Sequence, residues 1–355
     1  MNFDFADESP KLVMLLYGLV AFVVVVGGLL LLLDVVPNWF ARRREARLVA
    51  VAAGGGSPAA PRARSRRVNR TEGLFGLFFL LPTVLLLLVG LVVPAIRTLV
   101  LSFMDGGSEN WVGLRNYGWL FSQDEIVRVL VNTGIWVILV PLLATTTGLL
   151  YAVMVDKARF EAIAKSLIFL PMAISFVGAS IIWRFVYAYR GEGQEQIGLL
   201  NQVVVWLGGE PRQWLQEPPL NTLLLIVILI WIQAGFAMVV LSAAIKAIPG
   251  DIVEAARLDG VTPWQMFWQV TLPSIRPALI VVVVTISIGT LKVFDIVRTA
   301  TNGNFDTNVI ASEMYNQAFR YGETGQGSAL AVFLFVLVIP IVIYQIRNLR
   351  KQREV

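Results

Sequence analysis

Long apolar runs, parted by short polar stretches, set the pattern of the chain. Seven such runs stand out: Leu12 to about Val36, Leu74 to Val93 with apolar residues continuing to Val100, Val129 to Val155, Ser166 to Tyr187, Leu220 to Ala244, Ser274 to Val297, and Ser328 to Ile346. Each reaches the roughly 18–20 residues a helix needs to cross a bilayer. Inside lipid the backbone has to bond to itself, which favours helices for runs of this length. The pattern predicts an all-α polytopic membrane protein of about seven transmembrane helices. One is an N-terminal anchor within residues 1–40, and six form a core within 71–350. The first run follows an acidic start (Asp4, Asp7, Glu8) and is long, so it reads as an uncleaved anchor rather than a cleaved signal peptide.

The polar stretches differ in kind. Residues 41–70 mix Gly, Pro and nine arginines. That composition cannot bury a core and predicts a flexible basic linker, with contact to anionic lipid as its other reading. The stretches at 188–219 and 298–327 read as polar loops. Residues 250–273 are instead a helix-forming island. Pro249-Gly250 breaks the preceding run, and Asp251 with Glu254 three residues on suggests a cap. Gly260 allows a turn. Thr262, Pro263 and Gln265 make a capping box with proline at the first helical position. Trp264, Phe267 and Trp268 fall on one face, and Pro273 closes the segment. Two short helices at a sharp angle are expected.

Charge then orients the chain. Nineteen of its 29 lysines and arginines fall in the linker, the 156–165 turn, the 250–273 island with its flanks, and the C-terminal tail. Placing those on the cytoplasmic side puts the N-terminus outside and the C-terminus inside. The net charge of +5 is thereby sorted by membrane side, and nucleic-acid binding is a poor account of it.

Composition removes several chemistries. With no cysteine and no histidine, thiolate and imidazole metal sites and Cys- or His-based catalysis are excluded. No Gly-Lys dipeptide occurs, so a Walker A phosphate loop is absent and any ATP energy has to come from a partner. No catalytic residues are expected, and the chain does not read as an enzyme.

The island resembles the cytoplasmic EAA loop of ABC importer permeases. Glu254, Ala255, Ala256, Gly260, Leu272 and Pro273 match at the required spacing, with Val270 where isoleucine is usual. More widely, residues 74–350 resemble the larger permease of maltose-type carbohydrate importers. The Val112-Gly-Leu-Arg-Asn-Tyr117 element and Thr301-Asn-Gly303 are typical of that group. The text at 166–180, 194–201 and 230–238 is similar to its α-glucoside branch. The resemblance implies a multi-pass permease of a bacterial or archaeal cytoplasmic (inner) membrane. Its implied partners are a second permease forming a heterodimer, an ABC ATPase dimer that uses ATP and Mg, and an extracytoplasmic sugar-binding protein. No cofactor is expected on this chain itself. Glu254, Ala255, Ala256, Asp259, Gly260, Leu272 and Pro273 would couple it to the ATPase.

Polar groups within spans are costly and become candidates for the substrate pathway. Gln233, beside Gly235 and Phe236, lies in the fifth run. Thr290, Lys292 and Asp295 lie late in the sixth, with Lys292 and Asp295 at i, i+3 where they can neutralise each other. Phe236 and Phe294 would offer aromatic faces to a sugar ring. In maltose-type permeases this late segment is rich in asparagine, and here those amides are missing. Asn132 and Ser175 read as interhelical hydrogen-bond glue. The expected function is sugar import, of α-glucosides or related oligosaccharides. The alternatives are an ABC permease for a polyol or glycerol phosphate, and an ATPase-independent scaffold or channel.

Overall fold

The computed structural model describes residues 80–156, 159–191 and 193–353. The expected anchor at 12–36, the linker at 41–70 and the opening of the second run lie outside them. The described chain is helical, with one isolated bridge between Met104 and Trp111. In order come α1 (Leu80–Leu101), α2 (Arg115–Ser122), α3 (Asp124–Val155), α4 (Glu161–Phe169, continuing as a 3-10 turn to Ala173) and α5 (Phe176–Val186). They are followed by α6 (Leu199–Trp206), α7 (Leu220–Lys246), α8 (Gly250–Leu258), α9 (Pro263–Ser274) and α10 (Arg276–Leu291). The chain ends in α11 (Asp295–Ala300), α12 (Ile310–Tyr315) and α13 (Thr324–Arg353). Four helices (α1, α3, α7 and α13) are long and apolar enough to cross a membrane singly. The count among the described residues is six when each of two bent pairs is taken as one span.

Helices α3 and α7 form the centre. In lipid, helices gain little from apolar burial against each other, so close backbone approach and polar contacts hold them together. Ala144, Gly148 and Ala152 repeat every fourth residue on α3, and all are buried. A Cβ on Gly148 would stand 2.4 Å from the Ala237 Cβ and 2.8 Å from both the Ala234 carbonyl and the Met238 nitrogen. The two backbones are therefore in near contact. Trp136, Leu225, Ile232, Met238, Val282 and Ile286 fill the space around this crossing, bringing in α10. A smaller cluster of Leu120, Ile126, Val129, Ile310 and Leu330 joins α2, the start of α3, α12 and α13. Helix α1 buries none of its residues within the chain and is apolar over most of its length, with Arg97 exposed near its end.

Two expected straight spans are broken. Helices α4 and α5 meet at 102° instead of forming one rod over 166–187. Pro171 lacks the N–H an α-helix would use, so the chain tightens into a 3-10 turn and leaves the helix at Ile174. Ser175 is then the N-cap of α5, its Oγ accepting the Gly178 N–H at 3.1 Å, rather than glue between helices. The bend is seated on Gly235 of α7, where a Cβ would meet the Ile168 carbonyl at 2.6 Å and the Phe169 Cα at 3.0 Å. The sixth run is likewise not continuous to Val297. Helix α10 ends at Leu291 and the chain turns through Lys292–Phe294 into α11. Wide π turns at Leu88–Val92 and Met266–Thr271 each lie just before a proline, Pro94 and Pro273, whose ring would otherwise strike the carbonyl four residues back.

Two polar clusters fasten the helix ends. Where α3, α4 and α7 converge, the Lys165 Nζ lies 2.5 Å from Asp156 Oδ1 and 2.7 Å from Glu161 Oε1 and also bonds Ser242. Ser242 donates to Asp156 at 2.6 Å, and Lys246 pairs with Glu161. The expected basic connection at 156–165 is thus part of a mixed-charge knot. Beyond the other end of α1, buried Asn116 donates to the Ser102 and Met104 carbonyls at 2.9 and 2.7 Å, and the Tyr117 hydroxyl meets Ser102 Oγ at 2.7 Å. The 112–117 element is therefore a clasp that holds the chain leaving α1. Gly325 at the start of α13 fits against it only for lack of a side chain, since a Cβ there would lie 2.0 Å from the Met104 carbonyl.

Candidate functional site

The 250–273 island folds as two short helices in sequence. Helix α8 opens at Gly250 after Pro249, with no side-chain cap; Asp251 lies in its first turn, where a carboxylate favours the helix dipole, and is not the cap the spacing suggested. Its other end closes in a Schellman motif. The Val261 N–H reaches the Ala256 carbonyl at 3.3 Å and the Gly260 N–H reaches Arg257 at 3.1 Å. Gly260 takes φ +76°, a conformation that disfavours any side chain. The capping box of α9 is present. Thr262 N–H donates to Gln265 Oε1 at 2.9 Å, and Gln265 N–H to Thr262 Oγ1 at 3.3 Å. Helix α9 then meets α10 at 68° around Ile275.

Of the expected coupling residues, Glu254, Ala255, Asp259, Gly260 and Pro273 are exposed, Leu272 is half-buried and Ala256 is buried under α8. The island also carries bare apolar surface. Leu258 is 88% exposed and Trp264 71% exposed, with Trp268 packed edge-on against both Trp264 and Phe267. Large side chains left uncovered beside exposed carboxylates mark a contact surface.

The intramembrane candidates fall apart into different settings. Gly235 is the seat of the α4–α5 bend, and half-buried Phe236 packs on the central cluster. Gln233, two residues before Gly235, is half-buried. Thr290 is fully buried and gives its hydroxyl to the Ile286 carbonyl at 2.8 Å within its own helix. Lys292 is exposed and Asp295 half-buried, and no ion pair joins them. The expected i, i+3 neutralisation fails because α10 stops at Leu291, so the two residues do not share a helix face.

Phe294 leads to a set of residues that periodicity did not single out. Its ring lies 5.5 Å from Tyr315, which lies 5.3 Å from Phe319, a ladder of three aromatics. The Arg298 guanidinium stands 5.0 Å over the Tyr315 ring and donates to Asn316 Oδ1 at 2.9 Å. Buried Glu313 accepts from Asn308 at 2.6 Å, Gln317 at 2.6 Å and Asn316 at 3.2 Å. These residues lie in the stretch read as a polar loop. The i, i+4 spacing of Tyr315 and Phe319 was the signal available there. The amides missing from the late sixth span thus occur after it, at Asn308, Asn316 and Gln317 on either side of α12. No group of three or more Asp, Glu, His or Cys suited to a metal ion occurs among the described residues.

Comparison with known proteins gives a consistent result. A family model described as "Binding-protein-dependent transport system inner membrane component" matches residues 144–353. The osmoprotective compounds uptake permease protein GgtC of Synechocystis sp. is 51% identical over 276 residues, 78% of this chain and 99% of that one. The alpha-glucoside transport system permease protein AglF of Rhizobium meliloti is 46% identical over 289 residues, 81% of this chain and 86% of its own. Among solved structures, a chain of a bacterial ABC transporter involved in the import of the acidic polysaccharide alginate superposes with a TM-score of 0.68 at 25% identity, covering 79% of this chain and 96% of that one.

Proposed function

The chain belongs to the binding-protein-dependent transport system inner membrane components, multi-pass ABC permeases that are transport subunits and not enzymes, and from that premise we propose that it forms half of the translocation pathway of an ATP-driven sugar importer. The cargo is an α-glucoside or a related small glycoside. The identity to a relative named for alpha-glucoside transport carries this choice. An extracytoplasmic binding protein delivers the sugar, a second permease completes the pathway, and a separate ATPase dimer supplies the energy. The membrane is the bacterial or archaeal inner membrane, with the 250–273 island and the C-terminus on the cytoplasmic side; the distribution of arginine and lysine supports that orientation.

Coupling runs through α8 and α9. Glu254 and Asp259 offer charge to the ATPase, Ala255 permits close approach, and Ala256 packs α8 to its own subunit. Gly260 fixes the angle, while Leu272 and Pro273 set the exit towards α10. Exposed Leu258 and Trp264 supply the apolar part of the contact. Along the pathway, Gln233, Thr290, Lys292 and Asp295 belong to the segments that move with the cargo. Phe294, Tyr315 and Phe319 give a sugar ring an aromatic face, with Arg298 beside it for hydroxyls. A second reading, uptake of small osmoprotective solutes, is favoured by the relative named for that role.

The test is affinity purification of the chain from its native membranes in mild detergent, then reconstitution in lipid vesicles with labelled maltose, sucrose, trehalose and glycine betaine. Co-purification of an ATPase, a second permease and a binding protein, with ATP-dependent uptake of at least one sugar, is expected. Uptake of glycine betaine alone would select the second reading. Isolation of the chain without any ATPase would refute both.

A further inference from the structure

At the end of the fold opposite α8, the loop after α11 is bent into a conformation that ordinary residues resist. Asn302, Phe305 and Asp306 have φ of +58°, +56° and +57°, and Gly303 has +77°. Left-handed backbone costs a non-glycine residue roughly 1–2 kcal/mol. The surroundings hold it there. Asn132 of α3 donates to the Asp306 and Asn308 carbonyls at 2.6 and 3.0 Å, Asn221 of α7 donates to the Phe305 carbonyl at 2.7 Å, and Thr301 and Thr307 share a hydrogen bond at 2.6 Å. Strain kept in place by several independent bonds marks a position where the geometry matters.

That loop walls two adjoining recesses. One, of about 250 Å³, is lined by polar groups: Glu125, Arg128, Asn132, Asn304, Asp306 and Asn308. The other, of about 330 Å³, shares Arg128, Asn132 and Asp306 but is otherwise mainly apolar, with Ile135, Pro218, Pro219 and Leu223. Arg128 and Asp306 are 3.7 Å apart, and both side chains are more than half exposed. So loose a pair contributes little to stability and leaves donors and acceptors free.

We propose that this cleft is a glycoside-binding subsite of the permease, separate from the aromatic ladder. The proposal rests on the sugar reading above. Adjacent sugar hydroxyls both donate and accept, so they match a guanidinium beside a carboxylate. The apolar face of the ring fits the second recess, and the exposed Phe305 ring lies on the loop between the polar contacts. The cleft is joined to the ladder by a chain of bonds. Asn308 donates to Glu313, Glu313 accepts from Asn316, and Asn316 accepts from Arg298, which covers Tyr315. A sugar that draws Asn308 away from Glu313 alters the bonding of the ladder's arginine.

The test uses the complete transporter purified with its partners and reconstituted in vesicles, with labelled maltose, sucrose and trehalose as probes. The Asn304 side chain has no hydrogen bond among the described residues, so Asn304→Ala leaves the loop's internal bonds in place; Arg128→Gln removes the guanidinium. Each is expected to raise the KM for the transported sugar roughly tenfold, the effect of losing one hydrogen bond to a charged or well-placed group, with membrane abundance and maximal rate retained. The chain has no cysteine, so Asn304→Cys adds a unique thiol to it, whose maleimide labelling should slow when the sugar is present. If the parent transporter carries none of the probes, the sugar reading falls and this subsite with it. If the parent carries one, yet neither KM nor labelling responds, the subsite alone is refuted. Protection by the binding protein in the absence of sugar, with unchanged KM, would make the cleft a protein contact and overturn the assignment.

Discussion

Replacing Gly148 by alanine tests whether close contact of α3 and α7 holds this fold together. The new methyl carbon would lie 2.4 Å from the Ala237 Cβ, 2.8 Å from the Ala234 oxygen and 2.8 Å from the Met238 nitrogen. Two of those three are backbone atoms of a helix and cannot rotate away. Overpacking of this kind costs about 1–3 kcal/mol, and the rigid neighbours put Gly148→Ala at the upper end. Alanine's helix preference returns about 0.5–1 kcal/mol, leaving a net loss of about 2 kcal/mol. Gly134 lies on the same helix with nothing within 4 Å of its would-be Cβ, so Gly134→Ala should stabilise by the preference alone. The two variants then differ by about 3 kcal/mol. At roughly 2–4 °C per kcal/mol for a domain of this size, that is about 6–12 °C in melting temperature. Thermal unfolding of the purified protein in one detergent, followed by its ten tryptophans, reads the difference directly. Equal melting of the two variants, or a lower midpoint for Gly134→Ala, would refute the account of α3–α7 packing.

Three further substitutions probe the other joints. Gly260→Pro forces φ near −65° where the chain needs +76°, so it should insert normally yet retain little ATPase on affinity purification, and full retention would argue against the α8–α9 angle as the coupling feature. Asn116→Leu leaves the Ser102 and Met104 carbonyls without their buried donor, which should cost about 1–3 kcal/mol and lower the melting temperature, whereas exposed Asn110→Leu changes it little. Lys165→Met strands Asp156, whose side chain is 12% exposed, and should destabilise by about 3–5 kcal/mol; Lys165→Met combined with Asp156→Leu should recover most of that, and a simple sum of the single effects would mean the knot is not coupled.

The length of each apolar run made the α-helical membrane class legible, and the breakers Pro249, Gly260 and Pro273 made the two short helices of the 250–273 island legible. The box at Thr262–Gln265 and the turn at Gly260 were readable because each depends on bonds within five residues. The cap at Asp251 was misread because Pro249 already sets the extended conformation that ends one segment and lets the next begin at Gly250. The break at Ile174 lies inside a run whose hydropathy does not change, so composition hides it, whereas Lys292 and Asp295 mark the second break but read equally as a pair within a continuous span. Pro171 signals the first break locally, but its 102° angle depends on Gly235, more than sixty residues away. The Arg128–Asp306 cleft joins residues far apart in sequence, and no local pattern reports such a pairing. The Glu313 network is local, its partners lying within five residues, but it sits in a stretch whose polarity reads as a loop.

Helix α7 shows why these distant features bear on one another. Its first residues hold the strained loop through Asn221, and its middle seats the α4–α5 bend at Gly235. Its last turn enters the charged knot through Ser242 and Lys246. Two residues after Ile248, α8 begins. Packed core elements rearrange between discrete arrangements more readily than they deform continuously. A helix of 27 residues with backbone contact at its centre therefore moves largely as a unit. A force applied at α8 then reaches the knot, the bend and the loop through one rigid element. Backbone contact is closest at two places along it, Gly148 of α3 against Ala234 and Met238 and Gly235 against Ile168. On this geometry, coupling between α8 and the cleft needs no chain of small side-chain shifts. It needs α7 to tilt against α3, with the loop at Phe305 following its amide clip.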